Sequence, residues 1–149
     1  MTAGDLHDLL MPLAADMAVD TCNSLLSGEY QLLPQDDSKA SPAPKIFPEM
    51  CEIKWNQHAR ELCYFINGMS PFPGAWTTWN GERLKIIRAA FSACSKGIPG
   101  EFSIAQNSFL VQCDKGIISI LELQLPGKKI MKTVDFLRGY RGEMSGKFE

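Results

Sequence analysis

The side chains able to do chemistry in this sequence are cations in short groups: Arg83, Lys85 and Arg88; Lys128, Lys129 and Lys132; and Arg138 with Arg141. Strand side chains alternate between faces, so Arg83 and Lys85 project from the same one. Lys128 and Lys129 follow Pro126-Gly127 in a loop, Lys132 comes just after, and Arg138 and Arg141 flank a short final helix. Cations gathered on one face make a nucleic-acid footprint; cations spread around a fold are ordinary solvated surface. The net charge of −2 conceals an asymmetry. Residues 1–79 hold four Lys and Arg against ten Asp and Glu, and residues 80–149 hold eleven against seven.

Other chemistries find little support. Cys22, Cys51, Cys63, Cys94 and Cys113 are odd in number and contain no Cys-x-x-Cys pair, so neither a zinc site nor a paired disulfide framework follows from the spacing. Free thiols in a reducing cytosol are expected. His7 and His58 lie on separate helical segments without a neighbouring ligand set. No run approaches 18 consecutive apolar residues, and the start MTAGDLHDLL carries acids where a secretory signal would carry base. A soluble cytoplasmic protein with no membrane partner is expected.

The positioning elements follow from local signals. Thr2 with Asp5 three residues on marks a helix N-terminus. Leu6, Leu9, Leu10, Leu13, Met17 and Leu25 give that helix one apolar face, and Gly28 ends it. Pro12 interrupts it at a cost of about 3 kcal/mol unless the helix kinks or restarts. With no partner in the segments that follow, the helix reads as the last piece of a domain, residues 1–33. The stretch QDDSKASPAPKIFPEM has linker composition, a stiff path over residues 34–52. Residues 53–149 form the second domain.

In that domain Asn56 is the expected cap of a helix carrying Ala59, Leu62, Cys63 and Ile66, stopped by Gly68. Pro71 and Pro73 push Ser70 and Phe72 into extended conformations, predicting a rigid tether before Gly74. Asn80-Gly81 then joins strands 75–79 and 82–90, because this dipeptide favours a type I′ turn. Strands at 100–105, 109–113 and 117–125 follow, the last with Ile117, Ser119, Leu121, Leu123 and Leu125 on its inner face. A helix over 133–137 stops at Gly139, and the tail GEMSGKFE reads as frayed. The fold class expected is mainly β with flanking helices: a five-stranded antiparallel OB-like barrel, preceded by an isolated helix and a Pro-rich linker.

The motifs LHDLL, PQDDSKAS, APKI, IKWNQHARELCYFINGMSPFPGAWTTWNGERLKI and ELQLPGKKIMKTVDFLRG together resemble the C-terminal part of the methionyl-tRNA formyltransferase family. SPFPGAW alone is shared with sugar formyltransferases and formyl-folate hydrolase domains, whereas LQLPGKKIM followed by DFLRG is closer to the tRNA enzyme. The alternatives are a C-terminal domain of one of those relatives, or an independent OB-type binding module.

The resemblance implies that an N-terminal Rossmann-like domain moves the formyl group of 10-formyltetrahydrofolate to the amino group of methionine on initiator tRNA, while the appended barrel holds the tRNA. The family's Asn, His and Asp catalytic motifs find no match, so this chain is expected to be inactive alone, to supply no catalytic residue, to bind no cofactor or metal, and to be a monomer. Its grip on charged initiator tRNA is expected from Lys128, Lys129, Lys132, Arg83, Lys85, Arg88, Arg138 and Arg141. Lys45 matches a basic linker position of the family. Trp76, in the family's aromatic position after Pro-Gly-Ala, is expected to pack strand against helix, and Trp79, on the opposite face, is expected nearer the surface.

Overall fold

The computed structural model describes residues 1–93 and 97–148, which leaves Cys94 outside the described residues. The Asn80-Gly81 pair adopts positive φ at both positions, 53° and 75°, as a type I′ turn requires. It joins β1 (Ala75–Trp79) to β2 (Glu82–Ser92) with Trp79 opposite Glu82 and Ala75 opposite Ile86. This register decides which side chains enter the core. Ala75, Thr77 and Trp79 point inward with Leu84 and Ile86, while Trp76 and Thr78 face out.

Five further strands follow: β3 (Glu101–Ala105), β4 (Ser108–Gln112), β5 (Ile117–Gln124), β6 (Met131–Lys132) and β7 (Ser145–Lys147). The antiparallel sheet runs β1-β2-β5-β4-β3-β7, with β6 beside β5. The fold is therefore mainly β, as expected, but among the described residues the sheet is an open half-barrel of seven strands rather than a five-stranded closed barrel. Its two ends are shielded separately. Ile53 N–H bonds to Trp76 O along the free edge of β1 at 2.8 Å, and β7 covers β3.

β2 and β5 are long enough to need bulges. Their pairing shifts on either side of Arg88, with Ile86 opposite Leu123, Arg88 opposite Glu122 and Ala89 opposite Ile120. An extra residue in a strand switches which face its later side chains occupy. Ile118, Ile120 and Leu123 are consequently buried and Leu121 is exposed, so the unbroken alternation expected for 117–125 is corrected. Beyond Ile86, β2 has no β1 neighbour. Asn67 replaces it, accepting from Ala89 N–H and donating to Ala89 O, each at 3.0 Å.

Among the described residues three α-helices flank the sheet: α1 (Ala3–Ser27), α2 (Ala59–Gly68) and α3 (Thr133–Gly139). α2 buries Ala59, Leu62, Cys63 and Ile66 as its periodicity requires. Its cap position is His58 rather than Asn56; in place of a side-chain cap, Ala59 N–H bonds to Lys115 O at 2.9 Å. The exit from α2 also differs from the expected tether. Both prolyl bonds, Ser70–Pro71 and Phe72–Pro73, are cis, and Gly74 N–H reaches back to Met69 O at 2.9 Å, which closes a compact turn.

α1 begins with the expected Thr2–Asp5 capping box and ends at Gly28 with φ 75°. It continues through Pro12 as one helix and buries none of its residues. The linker carries two short 3-10 turns, Asp37–Lys39 and Pro48–Cys51, the second tucking Cys51 into the core.

The tail is the largest departure from expectation. Instead of fraying, Ser145–Lys147 pairs with Glu101–Ser103, and Phe148 enters the core 4% exposed, stacked on Trp55 at 5.4 Å between ring centroids. Trp79 joins it there. Its ring meets Phe102, Phe109, Phe136, Tyr140 and Phe148 at 5.5–6.2 Å, so of the two hairpin tryptophans Trp79 is the buried one and Trp76 the outward one. Aromatic pairs at such spacings contribute roughly 0.5–1.5 kcal/mol each beyond burial.

Candidate nucleic-acid interface

The outer face of the β1–β2 hairpin holds Trp76 directly opposite Lys85, with Arg83 one pleat along. The Arg83 guanidinium lies 4.2 Å from the centroid of the Trp76 ring, a cation–π contact worth about 0.5–1 kcal/mol at an exposed position. Trp76 is fixed in turn, because its Nε1–H donates to Pro48 O at 2.8 Å. Lys85 Nζ donates to Pro73 O at 2.9 Å, bringing the turn after α2 against the same face. Both cations are thus preorganised.

Beside them runs the loop after β5. Lys128 N–H bonds to Leu125 O at 3.1 Å and Gln124 Nε2 donates to Lys128 O at 2.9 Å, which folds Pro126 and Gly127 into a tight turn with Gly127 at φ 66°. Arg83, Lys85, Gln124, Leu125, Pro126 and Gly127 line a groove of about 230 Å³. The exposed Lys128 and Lys129 follow Gly127 directly in sequence.

The remaining cations are placed differently. Arg88 is held by Asp5 and lies 3.7 Å from Glu122. Lys132 precedes α3, opposite Glu122 in the β5–β6 pair, and lines a second groove with Arg88. Arg138 pairs with Asp135 at 2.8 Å, and Arg141 donates to the Arg138 and Tyr140 carbonyls. Lys45 lies 5.5 Å from the Phe47 ring, and Pro48, next along, is the acceptor for Trp76. The structure therefore gathers Arg83 and Lys85 with the loop that carries Lys128 and Lys129, and separates Arg88 and Lys132 from them.

Of the described cysteines, Cys51, Cys63 and Cys113 are buried and Cys22 is exposed. Burial pushes the Cys113 thiol up to about 11 and raises those of Cys51 and Cys63. A protonated thiol is a poor nucleophile. His7 and His58 are exposed, His7 beside Asp8. No helix is long and apolar enough to cross a membrane among the described residues.

Residues 45–141 match the family of the formyl transferase C-terminal domain. The chain belongs to this family. Similar sequences occur in methionyl-tRNA formyltransferases: that of Clostridium novyi is 38% identical over 141 residues, covering 93% of this chain and 46% of that protein. Those of Chlorobium limicola and Bradyrhizobium diazoefficiens are each 40% identical, covering 93% and 99% of this chain and 45% and 48% of theirs. The chain thus spans about half the length of the curated relatives it matches. Among solved structures, HypX from Aquifex aeolicus in complex with tetrahydrofolic acid superposes with a TM-score of 0.63 at 17% identity, over 83% of this chain and 22% of HypX, a likeness of fold.

Trp76 stands on the outer face of the hairpin and does not pack strand against helix as expected. Counting pairs back from the Asn80-Gly81 turn sets Trp76 opposite Lys85 and Thr77 opposite Leu84, a signal that assigns the faces.

Proposed function

We propose that this chain is the tRNA-holding portion of a methionyl-tRNA formyltransferase. The groove face is the observation that carries the reading: a stacked arginine, a bonded lysine and a lysine-bearing loop converge there, and cations so held contact the phosphates of a folded RNA. Lys128 and Lys129 extend the contact from the loop. Lys45, Arg138, Arg141 and Lys132 reach flanking phosphates, while Arg88 acts by fixing α1.

In this reading the substrate is initiator tRNA charged with methionine, and the formyl donor is 10-formyltetrahydrofolate. Bond-making belongs to a Rossmann-like formyltransferase domain that supplies the Asn, His and Asp chemistry. Residues 1–33 are the terminal helix of that domain, 34–52 a linker and 53–149 the tRNA-holding domain. Support for the helix assignment comes from Leu6, Leu9, Leu10, Leu13 and Met17 of α1, which stay exposed although apolar. Such a stripe packs on a neighbouring domain. A single chain acting in the cytoplasm completes the proposal.

The test is competition. Charged initiator tRNA, bound to the chain at low salt, is challenged with an unstructured RNA of equal length. The proposal expects folded tRNA to be retained; displacement by an equal concentration of the unstructured RNA would replace it with a general single-strand binder.

A further inference from the structure

The phosphate groove has a neighbour. Trp79, Phe136 and Tyr140 form the aromatic lining of an adjoining groove of about 210 Å³, and Arg83, Leu125 and Pro126 line both. Resting on the tRNA reading, we infer that the pair of grooves is a subsite for one extruded nucleotide, its phosphate on Arg83 and Lys85 and its base in the aromatic groove.

The geometry suits one ring system. The volume lies below the roughly 300–1,000 Å³ of pockets that take drug-sized ligands. The Tyr140 ring centroid lies 5.1 Å from that of Phe136 and 5.5 Å from that of Trp79, with interplanar angles of 37° and 36°. Its hydroxyl donates to Glu143 O at 3.0 Å, which fixes the orientation of the ring lining the groove. Proteins that recognise RNA stack unpaired bases of loops, bulges and ends on such aromatic surfaces. At the rim the Glu82 carboxylate offers acceptors to an exocyclic amino group, and Asn80 offers both donor and acceptor. A duplex region would engage the cations alone, since its stacked bases cannot enter the groove.

Two probes separate phosphate from base. In NMR titrations of the full chain, millimolar AMP is expected to shift the Arg83, Lys85, Trp79 and Tyr140 side-chain resonances, whereas ribose 5-phosphate shifts only the first two. Identical responses to the two probes, with Tyr140 unmoved, would overturn the inference. With tRNA, Tyr140→Ile is expected to lower affinity about tenfold, since base stacking is worth about 1–3 kcal/mol and 1.4 kcal/mol is tenfold. Its melting temperature controls for lost packing, and wild-type shifts at Tyr140 on adding tRNA provide a readout independent of the variant. If tRNA binds and shifts Arg83 and Lys85 but leaves Trp79 and Tyr140 unmoved, the nucleotide subsite falls and the tRNA reading stands. If tRNA does not bind, both fall.

Discussion

Arg88 on β2 and Asp5 in the first turn of α1 form a two-point ion pair, with Nη1 2.9 Å from Oδ2 and Nη2 2.8 Å from Oδ1. Asp5 does double duty, since the same carboxylate accepts from Thr2 N–H to complete the cap. Gly4 N–H adds a bond to Ser70 O at 3.0 Å. Among the described residues these contacts clamp the first turn of a helix that otherwise buries no side chain, and they engage the Arg88 guanidinium within the chain.

Replacing Asp5 with Asn removes the charge of the pair and weakens the cap. Faster hydrogen exchange is expected for amides in the first turns of α1, with protection of β2 and β5 unchanged. Equal loosening of helix and sheet would show that α1 is not an independently opening element.

Acid should release the same clamp. The Arg88 guanidinium and the Thr2 bonds hold the Asp5 carboxyl well below the usual carboxylate range. A depressed folded value contributes stability above the unfolded value, about 3.9, that is lost as pH falls toward the folded one. The protection factor of the first-turn amides of α1, taken against the intrinsic exchange rate at each pH, is therefore expected to fall below about pH 4, and the step should vanish in Asp5→Asn. A step unchanged in that variant would assign the acid response elsewhere.

Arg83→Met keeps a long side chain over Trp76 but removes the phosphate-binding charge. Weaker tRNA binding is expected, with the logarithmic salt slope smaller by about 0.9, and thermal stability close to wild type. An unchanged slope would place Arg83 outside the interface.

Deleting Phe148 and Glu149 should be costly despite their terminal position. Phe148 fills the space between Trp55 and Phe102. Loss of a buried phenylalanine costs roughly 3–5 kcal/mol, read as a lower midpoint in urea unfolding. A midpoint shift under 1 kcal/mol equivalent would show that the tail is dispensable to the core.

The legible parts of the fold were those set by neighbours in sequence. The Asn80-Gly81 turn, the α2 periodicity and the Thr2–Asp5 cap each contain their own instruction. The inward turn of Trp79 is also encoded, through the hairpin register set by the Asn80-Gly81 turn. Other features depend on distant partners. The polar tripeptide Ser145–Lys147 is a strand only because β3 offers an edge, and Phe148 is buried only because Trp55 awaits it. Likewise, the shifts beside Arg88 arise between β2 and β5, and no local pattern in either strand announces them. The cationic groups were legible as groups; which of them share a groove depended on the loop after β5 meeting the hairpin.

The most direct test is the salt dependence of charged initiator tRNA binding, compared between the wild-type chain and Lys128→Ala/Lys129→Ala. The account predicts a steep linear fall of log affinity with log salt, and a slope smaller by about 1.8 in the double variant if each lysine neutralises one phosphate. A flat wild-type response, or the same slope in both proteins, would contradict the assignment of this surface to tRNA.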